Sequence, residues 1–424
     1  MAYRVAGIDV HKKMLAVVVA DVEGEGEYVF ERRRYGSNGG QLRQLAEWLN
    51  QQQVAEVVME STAQYWQPVW GALERYWKRD AGSNSAGLHL AQAQSNRGRR
   101  GRKKDFPDAE RLVRRLVAHE LILSFVPDAE QRLWRTVSRR KYQLIRNRVQ
   151  LRNRLESLLE EAHLKLSSLV TDLLGVSARR MLSGLAEGET DPVALAALAD
   201  YRLRATPAQL SDALGACTEL HSVYRHLVKM TLEDLNLIEQ QIQQLEQEMA
   251  RLLGQHQEAV QRLAEVPGLG VDSAQQIIAE VGAAAATFEA AKNLASWVGA
   301  CPGHEESAEI NKNRRSPKGS RHMRRILNQA ANAAVRMKGC IFQIVYRRLV
   351  PRMGHNQAIG AIAHRLCRLI WLILRQGVRY EERGPSVGEK SRKIRTNKMI
   401  RQLRQLGYHV EPPILPSTTA ATTQ

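Results

Sequence analysis

Hydrophobic and polar positions in the first hundred residues follow two rhythms. YRVAGIDV and MLAVVVADV are dense in β-branched residues and EYVFERRRY alternates, which predicts three strands joined by short turns. LRQLAEWLNQQ switches to helical spacing, and EVVMES reads as a short buried strand. YWQPVWGALERYW is a second helix, with Pro68 limiting its first turn. Three strands, then helix, strand and helix, predict a mixed sheet with helices on its faces.

Beyond Asp108 the rhythm is helical. The chain reads as almost continuous helix from about 108 to 165, with Leu144, Leu151, Leu155, Leu158 and Ala162 spaced by seven, four, three and four. A second long helix over about 220–253 carries Leu235, Ile238, Ile242, Leu245, Met249 and Leu252 in three-four alternation, a heptad seam. Between them, TDPVALAALADYRLRATPAQLSDAL predicts short helices broken by Pro192 and Pro207. Two long amphipathic helices with a helical cap describe an antiparallel coiled-coil arm. The predicted organisation is an α/β domain over 1–125, the arm over 126–257 and a mainly α-helical domain over 258–384. A basic tail over 385–424 ends in the Pro/Thr-rich, disordered-type stretch EPPILPSTTAATTQ.

Charge narrows the partners. Lys and Arg number 62 against 44 Asp and Glu, a formal net charge of +18 that favours polyanions, nucleic acid first and an anionic membrane second. No run of about 18 uncharged apolar residues is present and the N-terminus lacks a signal-peptide pattern, so the expectation is a cytoplasmic protein with no membrane role. Four scattered cysteines without a CxxC pair read as reduced packing residues.

Four acids carry the candidate chemistry. In KKDFPDAERLVRRL, Asp105 and Asp108 stand three apart at a helix start marked by Pro107, so they share one face. Taken alone, the pair complements the helix dipole. Asp9 interrupts an apolar strand in VAGIDVHKK, however, and Glu60 ends the strand EVVMES. An acid in a core strand needs a partner, and several carboxylates on one sheet repel unless a hard divalent cation neutralises them. Asp on the first strand, Glu on the fourth and paired Asp at a later helix start is the arrangement of an RNase H-like (RuvC-like) sheet, which holds Mg²⁺ at a phosphodiester.

The last helical region adds a second constellation. LAEVPGLGVDSAQQIIAEVG has a Pro-Gly-x-Gly turn between helices. It is either a plain connector or a helix-hairpin-helix element whose Gly268 and Gly270 let backbone amides approach a phosphate. Lys312, Arg314, Arg315, Lys318, Arg321, Arg324 and Arg325 follow with no acid among them, and such a run faces phosphates more readily than it faces itself. Arg99, Arg100, Arg102 and Lys103 form a second basic loop suited to backbone recognition. Ser307, in PGHEESAE, reads from its pattern alone as a helix cap.

These motifs together resemble one family. GIDVHKK, VVMESTAQYW and RKKDFPDAERL are similar to the three blocks of the DEDD insertion-sequence transposases, and SWVGACPG, ESA and KGSRHMRRIL to their C-terminal block. The resemblance runs to nearly residue 380. It implies that Asp9, Glu60, Asp105 and Asp108 bind Mg²⁺ and that Ser307 is a nucleophile forming a transient phosphoserine bond to DNA, with Arg314 and Arg315 as candidate phosphate clamps. Lys104 stands where the family often has Thr, and Glu309 where it has Gly. The implied activity is excision and insertion of a mobile element, on double-stranded DNA at the element ends and target. An element-encoded noncoding RNA would act as guide, in a nucleoid-associated bacterial setting.

The arm predicts a homo-oligomer, dimer or tetramer, which could deliver one chain's Ser307 to another chain's acids. Two other readings stay open at this level. A metal-only junction endonuclease would leave Ser307 structural. A non-catalytic architectural binder would leave Asp9 and Glu60 unexplained.

Overall fold

A computed structural model describes residues 3–22, 28–61, 63–78, 87–93, 105–302, 306–307, 310–311, 316–382 and 389–410, with backbone alone at 61, 306–307, 310–311 and 389–392. The chain divides into two compact units, Met1–Ala129 and Glu130–Gln424.

The first unit is a mixed α/β sheet domain. Its elements are β1 (Arg4–Val10), β2 (Met14–Asp21), β3 (Glu31–Gly36), α1 (Gly39–Gln51), β4 (Val54–Ser61), α2 (Trp66–Tyr76), β5 (Leu88–Ala91), α3 (Asp105–Val117) and β6 (Leu123–Ser124). The sheet order is β3-β2-β1-β4-β5-β6. β1, β2 and β3 pair antiparallel, whereas β4 runs parallel to β1 and to β5. Strand side chains alternate between faces. Ala6, Ile8 and Val10 therefore join the core beneath α1 and α2, while Val5 and its neighbour Val18 pack against Ala109 and Val113 of α3. Asp9 shares the α3 face.

The expected continuous helix over 108–165 is interrupted. α3 stops at Val117, His119 takes a left-handed φ of 54°, and the chain adds β6 to the sheet edge before the next helix begins at Ala129. HELILSFVP explains the break: its apolar residues lack helical spacing and Pro127 forbids continuation. The short β5 and β6 carry too few residues to show a period.

Among the described residues, the second unit is helical apart from one small hairpin. It contains α4 (Ala129–Glu161), α5 (Val176–Ala186), α6 (Pro192–Ala197), α7 (Pro207–Leu214), α8 (Ser222–Leu252), α9 (Gln257–Ala264), α10 (Val271–Val281) and α11 (Ala291–Val298). The hairpin β7 (Glu306–Ser307) and β8 (Ile310–Asn311) follows, then α12 (Arg321–Ala334), α13 (Ile341–Gln376) and α14 (Glu389–Gln405). α4 and α8 run antiparallel: Lys141 pairs with Glu246, Arg148 with Glu239, and the Tyr224 hydroxyl donates to Glu161. α5–α7 cap their far end around Leu155, Leu159, Met181, Leu182 and Leu235. Of the heptad seam, Leu235 and Met249 are buried, and Ile238, Ile242, Leu245 and Leu252 are half-buried.

Pro192 and Pro207 start helices rather than break them. Each stands in the first turn, behind the N-caps Asp191 and Thr206, and Thr206 with Gln209 forms a reciprocal capping box.

The base of the arm merges with the C-terminal core. Trp134, Met249 and Leu253 belong to the same buried cluster as Ile277, Leu327 and Leu366. Among the described residues α13 alone is long and apolar enough to cross a membrane, but Ile359, Ile362, Leu366 and Ile370 lie in this core and Gly354 kinks it at a φ of 77°. Part of the basic tail folds back as α14. Leu403 and Tyr408 are buried, Gln275 donates to the Tyr408 hydroxyl at 2.8 Å, and Arg395 caps the Ala264 and Glu265 carbonyls at the end of α9. Residues 411–424 lie outside the described residues.

Candidate metal centre

The four acids occupy three elements of the first unit. Asp9 is near the C-terminal end of β1, and Glu60 is its direct partner on the parallel strand β4, so their Cα atoms face each other across one ladder step. Asp105 and Asp108 occupy the first turn of α3. Gly7 brings that helix close, because a Cβ at this position would stand 2.3 Å from the Ala109 carbonyl oxygen. A strand glycine here permits the approach of another backbone.

Of these acids, Asp9 and Asp105 are the two that gather with His11 into one cluster of ligand atoms. Its Nε2 lies 3.0 Å from Asp9 Oδ2 and 3.4 Å from Asp105 Oδ1, and one ligand atom from each of these three residues lies within 4.8 Å of the others. Asp108 accepts from Arg111 Nη1 at 2.6 Å, and Arg34 stands 3.9 Å from Asp105. Burial pushes the Asp9 carboxyl above its ordinary pKa; the nearby Asp108 and Asp105 charges push the same way, and His11 pulls against them. Sequence reasoning missed His11, although a histidine two residues beyond a strand-end acid is a readable signal. It also missed Arg34 and Arg111, whose positions depend on the fold.

The donor set suits a divalent cation. Two carboxylates and an imidazole converge, Asp9 half-buried with its pKa raised, and the site is open enough for water, with Asp9 at 18% and Asp105 at 38% side-chain exposure. A cation there would relieve the carboxylate repulsion.

The other predicted residues are more dispersed. Lys318, Arg321 and Arg324 form an exposed cationic strip leading into α12, which is capped by Ser320. Arg325 turns inward, stacks 4.1 Å from the Tyr142 ring centroid and donates to Gln276 and Gln329. Gly268, at a φ of 85°, packs its turn against α12, since a Cβ would meet the Ala330 oxygen at 2.2 Å. Gly270 is the open N-cap of α10. Ser307 pairs with Ile310 in the β7–β8 hairpin, and only its backbone is described. Arg99, Arg100, Arg102, Lys103, Lys312, Arg314 and Arg315 lie outside the described residues.

Comparison with known proteins identifies the class. Residues 6–164 match the DEDD transposase model of the IS110 type, and residues 260–347 match the model described as "Transposase IS116/IS110/IS902 family". A protein of Pseudomonas aeruginosa, named "Probable family 20 transposase", is 26% identical over 284 residues, 65% of this chain and 73% of that one. The chain is therefore a transposase by class. It belongs to the IS110-type family of insertion-sequence transposases, and this membership implies a DNA-processing enzyme.

Proposed function

We propose that this transposase excises and inserts its own element by a serine-nucleophile mechanism assisted by Mg²⁺. The observation that carries the reading is the register partnership of Asp9 with Glu60, with the first turn of α3 brought close enough for His11 to touch both Asp9 and Asp105. The strand order of the first unit, with three antiparallel strands and then β4 and β5 parallel to β1, supports an RNase H-like (RuvC-like) assignment.

In this reading Asp9, Glu60, Asp105 and Asp108 hold the divalent cation. When bound, it supplies Lewis-acid stabilisation of charge developing at the scissile phosphate. The Ser307 hydroxyl attacks phosphorus: the Oγ–P bond forms, the P–O3′ bond breaks, and the serine proton ends on the released 3′ oxygen. The phosphoserine ester conserves the bond energy until a free 3′-hydroxyl displaces Ser307. Lys318, Arg321 and Arg324 are exposed and positioned for phosphates. Gly270, at the head of α10, offers a helix N-terminus, although Asp272 in the same turn competes for its dipole.

The antiparallel α4–α8 pair is read as a coiled-coil arm joining protomers, because its seam is half-buried in one chain. The Pro-Gly-x-Gly turn is read as a helix-hairpin-helix element. An element-encoded RNA would choose the sequence by base pairing while the protein reads backbone shape and charge.

Trapping tests the chemistry. A covalent protein–DNA adduct that vanishes in Ser307→Ala supports the proposal, and hydrolysis without an adduct overturns it. Sequencing the RNA that co-purifies with the full chain tests the guide. Mixing Ser307→Ala chains with Asp9→Ala chains tests sharing between protomers, and no restored activity refutes it.

A further inference from the structure

His11 is unused by the four-carboxylate reading, yet it is the side chain that touches two of those acids. Its Nε2 stands between Asp9 Oδ2 at 3.0 Å and Asp105 Oδ1 at 3.4 Å. A single ring N–H donates well to one carboxylate oxygen, not to two on different elements. An octahedral cation with bonds of about 2.1 Å sets adjacent ligand atoms about 3 Å apart, close to the 3.0 Å and 3.4 Å from His11 Nε2 to the two carboxylates. His11 directly follows Val10, the last residue of β1, and its backbone N–H donates to the Met14 carbonyl at 3.0 Å, so the β1–β2 turn fixes the backbone that carries the ring. The imidazole is 48% exposed and is not needed by the core.

We infer that His11 Nε2 is a direct ligand of the catalytic cation, making the site a mixed nitrogen–oxygen centre that binds Mn²⁺ in preference to Mg²⁺. This rests on the metal reading above and adds to it an imidazole that the four acids do not require. Mg²⁺ favours an all-oxygen shell, whereas the first-row transition ions accept an imidazole nitrogen, and Mn²⁺ is the one among them that also suits the carboxylate-rich remainder of the site. The neutral imidazole adds no charge, so its contribution is to metal choice and to the orientation of Asp9 and Asp105.

Pulsed electron paramagnetic resonance of the full chain loaded with Mn²⁺ tests this directly. Directly bound ¹⁴N coupling is expected in the parent and absent in His11→Ala. Mn²⁺ affinity should fall about tenfold in that variant while Mg²⁺ affinity changes by less than about twofold. Mn²⁺ that binds in an Asp9-dependent manner without nitrogen coupling overturns the His11 assignment and leaves the carboxylate site standing. Mn²⁺ binding that Asp9→Asn does not weaken overturns both. Circular dichroism of His11→Ala and a His11→Gln control separates loss of a ligand from loss of fold.

Discussion

Gly7 on β1 and Ala109 on α3 meet backbone to backbone. A side chain at Gly7 would press on the Ala109 carbonyl at 2.3 Å and on Val113 Cγ2 at 2.9 Å. This contact sets the height of α3 above the sheet and thereby the reach of Asp105 toward Asp9. Gly7→Ala is expected to cost about 1–3 kcal/mol through overpacking. It should also weaken Mn²⁺ binding by lifting the helix. Thermal melting together with metal titration checks both; an unchanged melting temperature would mean that α3 yields without strain.

Asp9 is held above its ordinary pKa chiefly by burial, with Asp108 and Asp105 adding to it. Its neutral form is favoured by folding. That contribution is complete below the ordinary carboxylate value and is lost as pH rises through the raised folded value. Asp9→Asn should therefore raise the melting temperature of the metal-free chain at neutral pH, with the gain shrinking toward pH of about 4. The same change should cut DNA strand cleavage by about 10²–10³-fold, the scale for losing charge stabilisation at a reacting centre. Melting curves across pH, paired with a cleavage assay, report the two effects separately.

Glu280 is almost fully buried and accepts from Arg139 through both oxygens, at 2.9 and 3.0 Å, with Arg135 at 3.6 Å. Glu280→Gln leaves these guanidiniums without their anion and should destabilise the second unit by about 3 kcal/mol. Urea denaturation measures it.

Burial pushes the Cys367 thiol up to about 12, with the neighbouring Cys301 adding to the shift, so little thiolate exists near neutral pH. Cys301 is half-buried. Alkylation of the native chain should modify Cys301 and spare Cys367 until denaturant is added, as peptide mass mapping would reveal. Early labelling of Cys367 would mean that the α13 core opens readily.

Removing residues 383–424 withdraws Leu403 and Tyr408 from the core and Arg395 from the end of α9. A loss of about 3–6 kcal/mol is expected from the two large buried side chains. Tyr408→Phe should account for about 1 kcal/mol of it through the Gln275 hydrogen bond. A truncated chain that melts like the parent would show that α14 adds nothing to stability.

Local pattern was enough to read β1–β4, α1 and α2, because period and β-branched content act over a few residues. Each acid was likewise legible within its own short motif, as was the heptad spacing of α8. The roles of single residues depended on distant contacts. Arg325 looked like one more cation in a basic run, but Tyr142 lies beneath it. Gly268 is legible as a turn glycine, but that the α12 backbone beside it demands the missing side chain is not. His11 is two residues from Asp9 in sequence, and it joins a candidate metal cluster only because α3 brings Asp105 within 3.4 Å. Chain order and composition decide which side chains can face one another along an element. Distances between residues a hundred positions apart arise from close packing, here from the missing side chain of Gly7, and no short-range rhythm encodes them.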